Sequence, residues 1–298
     1  MPCCHSVDPT ARAKLSLEGL SVGDAFGERF FGFDEEVLHR VERRTPPRGR
    51  WRYTDDTEMA LSIVELLTLS GGIDQDALAA MFAQRMDPAR GYGIGAYRVL
   101  TQIREGVSWR RASYENFRGH GSFGNGAAMR AAPLGAFFAD DVERCLREAR
   151  LSAEVTHAHE DGIAGAIAVA GGAALAWARR GHELPLGRSW LKQVRDGVPA
   201  GFVREGIEAA LGLDAKTKTS RAALVLGSGS DVTARDTVPF CLWIASWYSH
   251  DFTEAMWQTV SALGDRDTTC AIVGGIVSLQ VGEEGIPREW RDAREPLP

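Results

Sequence analysis

The chain has little of what a β-rich, disulfide-stapled or membrane-spanning protein needs. Alternating apolar and polar runs are scarce; residues 222–226 are the best strand candidate, and that stretch is short. The five cysteines (Cys3, Cys4, Cys145, Cys241 and Cys270) are odd in number and irregular in spacing. That argues against a disulfide framework and fits the reduced thiols of a cytosolic protein. Cys3-Cys4-His5 could catch a soft metal, yet no further ligand follows at zinc spacing. Basic charge is also short: 34 Lys and Arg stand against 40 Asp and Glu, a net charge of −6. This argues against a nucleic-acid surface, and the crowd of Arg40, Arg43, Arg44, Arg48 and Arg50 reads as a solvated loop. The N-terminus lacks the basic, apolar and small-residue order of a signal peptide. No uncharged run approaches the ~20 apolar residues that cross a bilayer. A cytoplasmic protein without a membrane partner is expected.

What is abundant is helical periodicity. Leu15, Leu17, Leu20, Val22 and Phe26 mark a first helix, and Met59 to Leu67 a second that ends at Gly71-Gly72. Residues 75–86, 92–103, 127–138, 142–153, 162–178, 238–247, 252–263 and 269–281 continue the pattern. The 162–178 stretch is built of small residues, which predicts a central, closely packed helix. Glycine and proline fall between these segments without a long linker, and no fixed-period repeat occurs. The expectation is an all-α, multi-helix bundle forming one domain over residues 1–298, with 1–12 a mobile N-terminal segment.

Two acidic segments stand out: Thr54-Asp55-Asp56-Thr57-Glu58 and Asp265-Arg266-Asp267-Thr268-Thr269, each opening a helix. Helix capping explains one side-chain oxygen at such a place, and Asp55 with Glu58 has capping-box spacing. Capping does not explain two or three adjacent carboxylates, which repel one another unless a proton or cation intervenes. Hard oxygen donors of this kind suit Mg²⁺ or Mn²⁺. A third segment, Gly119 to Gly126, runs into Ala127-Ala128-Met129-Arg130. Small residues before a helix start let backbone N–H groups approach phosphate, although the lysine of a P-loop is missing. His157 and His159 lack the companions of a zinc site and read as satisfied helix-end histidines. Trp51 and Tyr53 could stack on a base, with core packing the commoner use.

Taken in order, five pieces resemble the ADP-ribosylglycohydrolase family: Gly19 to Gly27, Thr54 to Thr57, Gly124 to Arg130, Thr156 to His159, and Gly264 to Thr268. The resemblance spans nearly the whole chain. It implies an all-α fold around two divalent cations, Mg²⁺ or Mn²⁺. By motif position, Thr54, Asp55 and Asp56 would be ligands from one side, and Asp265, Asp267 and Thr268 from the other. Gly121, Ser122, Gly124, Asn125, Gly126 and His157 would line an ADP-ribose pocket. The implied reaction is hydrolysis at ribose C1″ of an ADP-ribosylated protein or small molecule, with Asp55 and Asp56 as the most sensitive catalytic positions.

Two positions depart from the family pattern. Relatives often carry a small residue where this chain has Arg266; its guanidinium could turn away, pair with an aspartate or contact a phosphate. Relatives often carry an acid where this chain has Phe31, which leaves Glu28 as the nearest candidate for an early catalytic acid. An inactive ADP-ribose-binding or protein-interaction module of the same fold is the alternative. A diphosphate-binding terpene synthase shares the acidic helix motif but leaves Gly124 to Arg130 unexplained.

Overall fold

In the computed structural model, which describes residues 7–182 and 184–298, every regular element among the described residues is helical. The first group is α1 (Pro9–Glu28), α2 (Asp34–Glu42), α3 (Asp55–Ser70), α4 (Gln75–Arg85), α5 (Ile94–Arg104) and α6 (Trp109–Gly119). Next come α7 (Ala132–Phe137), α8 (Val142–Glu154), α9 (Glu160–Ala178), α10 (Gly187–Gly197) and α11 (Phe202–Leu211). The chain finishes with α12 (Thr219–Leu226), α13 (Ala234–Tyr248), α14 (Phe252–Ser261), α15 (Arg266–Val281) and α16 (Arg288–Ala293). The all-α expectation holds. Cys3-Cys4-His5 lies outside the described residues, and the chain is already helical from Pro9, inside the segment expected to be mobile.

The site is positioned by one unusually close helix crossing. Gly19, Gly23 and Gly27 recur every four residues and so share one face of α1. They meet α15 running the other way. A Cβ on Gly19 would sit 2.4 Å from the Gly274 carbonyl oxygen, one on Gly23 2.2 Å from that of Cys270, and one on Gly27 2.2 Å from that of Arg266. Only glycine permits this approach, and it draws the C-terminal half of α1 onto the N-terminal end of α15. α9 runs through the centre with every residue from Asp161 to Ala174 buried. It is long and apolar enough to cross a bilayer by composition, which corrects the expectation that no run approaches that length. Yet 83% of its apolar window is buried inside the protein.

Three expected elements came out differently. Residues 222–226 are helix, not strand. Thr219, Ala222 and Leu226 form the buried stripe of α12 while Leu224 and Val225 are exposed, a helical rather than alternating pattern. The helix expected over 127–138 is only α7, because Pro133 has no N–H to donate and can occupy only the first turn. Residues 125–127 form a single 3₁₀ turn instead. The arginine-rich stretch is partly α2: Arg40 stacks over Phe30 at 4.5 Å and Arg44 pairs with Glu254. Trp51 and Tyr53 are buried, Trp51 in an aromatic cluster with Phe26 and Trp290. Cys145, Cys241 and Cys270 are buried free thiols.

Candidate active site

Asp24, fully buried on α1, organises the start of α3. Its carboxylate accepts the Thr54 N–H at 2.9 Å, the Thr54 hydroxyl at 2.9 Å, the Thr57 N–H at 3.1 Å and the Thr57 hydroxyl. The orphan donors of a helix N-terminus are thus satisfied partly by a residue from another helix. Thr54 caps α3 by accepting the Asp56 N–H at 3.3 Å. Its hydroxyl also lies 2.8 Å from Asp56 Oδ2. One hydroxyl proton cannot serve both Asp24 and Asp56, so a further proton or cation belongs among these oxygens. Asp56 Oδ1 is buried without a hydrogen-bond partner among the described residues.

The electrostatics agree. Burial first, then the Thr57 and Thr54 hydrogen bonds in opposition, leave the Asp24 carboxyl raised to about 6. Burial and the Asp24 charge push Asp55 up to about 8. Burial, Asp24, Asp55 and Asp265 push Asp56 well above the carboxylate range. At the start of α15, burial and the charges of Asp56 and Asp265 do the same to Asp267. Such crowding of buried acids is tolerable only with bound protons or cations.

Asp265 stands at the N-cap position of α15 without a side-chain hydrogen bond to the helix start, and Asp267 Oδ1 accepts the Thr268 N–H at 2.8 Å. Arg266, between the two aspartates, turns away from them. Its buried guanidinium donates to Asp34 at 2.8 Å and lies 5.3 Å over the Phe31 ring. The two departures from the family pattern therefore touch each other: Phe31 is the surface on which Arg266 rests. Together with Asp34 they pin the α1–α2 connection to the start of α15.

The facing wall is the loop from Ser122 to Gly126. Ser122 Oγ accepts the Gly124 N–H at 3.2 Å. Behind the loop, buried Arg130 donates to the Gly126 carbonyl at 2.8 Å and to Thr156 Oγ1 at 2.8 Å, with Phe82 under its guanidinium at 4.7 Å. The Thr156 hydroxyl, having accepted from Arg130, has its own proton for His157 Nδ1 at 2.8 Å. Burial and then Arg130 push His157 down to about 3, so the ring is neutral, and the tautomer in which Nδ1 accepts from Thr156 carries its proton on Nε2. That nitrogen faces the loop: a Cβ on Gly124 would lie 3.6 Å from it and one on Gly126 3.4 Å. His159, as expected of a helix-end histidine, caps α9 by accepting the Asp161 N–H at 3.1 Å.

The two walls enclose a cleft of about 540 Å³, within the range of small-molecule sites. Of the sequence-derived residues, Asp55, Asp56, Asp265, Asp267, Thr268, Ser122, Gly124, Asn125, Gly126 and His157 line it. Three do not. Thr54 has its hydroxyl engaged by Asp24 and Asp56. Gly121 adopts φ +69° so that its backbone can pack on Ala158 and His159, where a Cβ would come within 2.8 Å of the main chain. Glu28 is solvent-exposed at the end of α1, although burial and Asp265 raise its carboxyl against the opposing charges of Arg29 and Arg52.

Other lining groups carried no local signal. Met59, Met129, Phe117, Phe123, Ile94 and Val232 are among them. Phe117 sits at φ +50° where α6 kinks, and Asn116 holds that kink by donating to the Gly95 carbonyl at 3.2 Å. Asp24 and Arg130 were visible only as members of motifs; their roles depend on partners far along the chain.

The donor set on the acidic wall fits a hard divalent cation: carboxylates and a hydroxyl facing one cleft, with one buried carboxylate oxygen unpartnered. Among the described residues no three His, Cys, Asp or Glu side chains converge as a preformed cage. Asp55, Asp56, Asp265, Asp267 and Thr268 are the groups that would hold such an ion.

Comparison with known proteins agrees with this geometry. A sequence profile of the family described as ADP-ribosylglycohydrolase matches residues 5–296. "ADP-ribosylhydrolase ARH3" from Bos taurus is 29% identical, over 96% of this chain and 89% of that protein. "ADP-ribosylarginine hydrolase Tri1" from Pseudomonas putida strain GB-1 is 27% identical, over 94% of this chain and 73% of that protein. A solved "ADP-ribosylglycohydrolase-related protein complex" superposes with a TM-score of 0.66 at 24% identity, over 97% of this chain and 93% of that one, and shares the fold.

Proposed function

This chain belongs to the ADP-ribosylglycohydrolase family, and from that premise we propose that it is a divalent-cation-dependent hydrolase that removes ADP-ribose from a modified side chain or small acceptor. The carrying observation is the meeting, in one cleft, of buried carboxylates from α3 and α15 with the 122–126 loop and a neutral His157. The names of the relatives, hydrolases of ADP-ribosylated substrates, support the same reading.

The residues divide the work. In the 124–126 segment the Gly124 N–H already serves Ser122 Oγ and the Asn125 N–H the Val232 carbonyl, which leaves the Gly126 N–H, beside the Nε2–H of His157, as a donor suited to the diphosphate and its adjoining ribose. A neutral imidazole donates without placing a second buried cation beside Arg130. Asp55, Asp56, Asp265, Asp267 and Thr268 would hold two Mg²⁺ or Mn²⁺ ions. When bound, these supply positive charge that orients the ribose hydroxyls and acidifies water. Water oxygen then bonds to C1″ as the bond from C1″ to the acceptor breaks. Asp55 or Asp56 takes the water proton, which passes to the departing acceptor, and the same carboxylates stabilise the positive charge that develops on the ribose. Products are free ADP-ribose and the unmodified acceptor.

The test is release of ADP-ribose from arginine-linked and serine-linked substrates, with Mg²⁺, with Mn²⁺ and with chelator, for the native protein beside Asp55→Asn and Asp267→Asn. Cation-dependent release that both substitutions abolish is the expected result, and the preferred linkage names the acceptor. ADP-ribose binding without release under any condition would instead support a binding module.

A further inference from the structure

Asn125 stands in the nucleotide-facing loop, yet its side chain points to the acidic wall. It is buried, and its two amide hydrogens are both used: one on Thr237 Oγ1 at 3.1 Å, the other on Asp265 Oδ2 at 2.7 Å. Its backbone N–H donates to the Val232 carbonyl at 3.2 Å. Thr237 passes its own proton to the Thr233 carbonyl at 2.8 Å. Asn125 therefore stitches together three segments: the glycine loop, the 227–234 connection into α13, and the start of α15.

The 227–234 connection itself bridges both walls. On one side the Ala234 N–H donates to the Phe123 carbonyl at 3.0 Å, and Gly124 pairs with Thr233 as an isolated antiparallel bridge. On the other, the Asp265 N–H donates to the Ser228 carbonyl at 3.2 Å, and a Cβ on Gly229 would come 2.6 Å from the Asp265 Cβ. Between these anchors Val232 is held at φ +55°. A β-branched residue there is strained. Two hydrogen bonds hold it: its N–H donates to the Gly229 carbonyl at 2.8 Å and its carbonyl accepts from Asn125. A shift of the 122–126 loop cannot occur without moving Asp265 or breaking this chain of contacts.

We propose that Asn125 is a positioning residue that couples occupancy of the glycine loop to the setting of Asp265, so that ADP-ribose and a divalent cation strengthen each other's binding through the 227–234 connection. This rests on the hydrolase reading of the cleft. Linkage requires the effect to be reciprocal: whatever factor ADP-ribose adds to cation affinity, the cation adds to ADP-ribose affinity.

The test is calorimetric titration of Mn²⁺ with and without saturating ADP-ribose, and of ADP-ribose in chelator and in Mn²⁺. The native protein, Asn125→Ala, Thr237→Val and Thr237→Ser are compared. In the native protein each ligand should tighten the other by roughly tenfold, a usual size for such coupling. Asn125→Ala should clearly lower that factor, taken as the ratio of the variant's own affinities with and without the second ligand, which a merely structural defect that weakens each ligand alone would not change. Thr237→Val, outside the cleft lining, should remove part of it, and Thr237→Ser, which restores the hydroxyl, should return it. The whole factor surviving in Asn125→Ala would overturn the proposal in favour of direct contact between cation and ribose. Independent binding of both ligands by the native protein would also overturn it while sparing the reading of the cleft. Failure of both to bind would remove the two together.

Discussion

Asp24, Asp55 and Asp56 are buried on the regular helices α1 and α3, whereas Phe117, Phe123 and Val232 on the facing wall are 42%, 41% and 54% exposed, and Phe117 and Val232 sit on left-handed backbone. The acidic groups are held by long-range hydrogen bonds and a glycine-packed helix pair. The opposing side chains are held by turns, a kink and an isolated bridge. Like charges crowded out of water must be fixed rigidly or they separate. A wall that seats a nucleotide needs backbone donors and aromatic faces, which loops on a rigid scaffold supply. The comparison thus assigns chemistry to one wall and recognition to the other, and substitutions on each should fail in different ways.

The largest effect is expected at Asp56. Asp56→Asn should lower kcat/KM for ADP-ribose release by more than about a hundredfold, since even outer partners of metal ligands are worth 10–100-fold. Its melting temperature in chelator should rise, because a repelling carboxylate is removed. Opposite signs for activity and stability would mark the acidic wall as functional rather than structural.

Next comes the crossing beneath it. Gly23→Ala would place a Cβ 2.2 Å from the Cys270 carbonyl oxygen and should cost about 2 kcal/mol by overpacking. Chemical denaturation measures that loss, and Mn²⁺ affinity should fall more than ADP-ribose affinity because α1 and α15 carry only the acidic wall. Equal losses would break the division of labour.

Phe123→Ala tests the other wall. Loss of an aromatic face at the cleft should weaken ADP-ribose by about tenfold, within the roughly 1–3 kcal/mol typical of base stacking. Mn²⁺ affinity without nucleotide should stay unchanged.

The smallest effect is in pH. Asp24 is raised to about 6 and Asp55 to about 8 from an ordinary 3.8. Between about pH 4 and about pH 8 the folded protein therefore keeps protons that the unfolded chain has released. In chelator, the stability contributed by these groups is present at the acid end and lost as pH rises through that window. Cations replace the protons, so the gain in melting temperature on adding Mg²⁺ should be greater near pH 8 than near pH 5.

The acidic wall was largely legible in the sequence because its chemistry is local. Asp55 and Asp56 are adjacent, as are Asp265, Arg266 and Asp267, and clusters of that density exceed what capping requires. Asp24 was not legible as an organiser: a lone carboxylate in an apolar glycine-rich helix shows its purpose only when Thr54 and Thr57 arrive from another helix. Gly19, Gly23 and Gly27 were in plain view, but their partners at Gly274, Cys270 and Arg266 are set by tertiary packing. The recognition wall was the harder half. Gly124 and Gly126 were readable as a loop, whereas the cleft-facing exposure of Phe117 depends on a kink held by Asn116 and Gly95. Asn125 was assigned to substrate by position; it lines the cleft, and the hydrogen bond from its side chain to Asp265 depends on a partner far along the chain. For Arg266 the sequence left three orientations open, and the structure joins two of them: the guanidinium turns away from the neighbouring aspartates and pairs with a distant one, Asp34, over Phe31.

The most direct test is anomalous diffraction at the manganese edge from crystals soaked with Mn²⁺ and ADP-ribose. The account predicts manganese peaks among the carboxylates of Asp55, Asp56, Asp265 and Asp267, with the diphosphate against the 124–126 backbone and His157. Manganese bound elsewhere, or ADP-ribose seated outside this cleft, would contradict it.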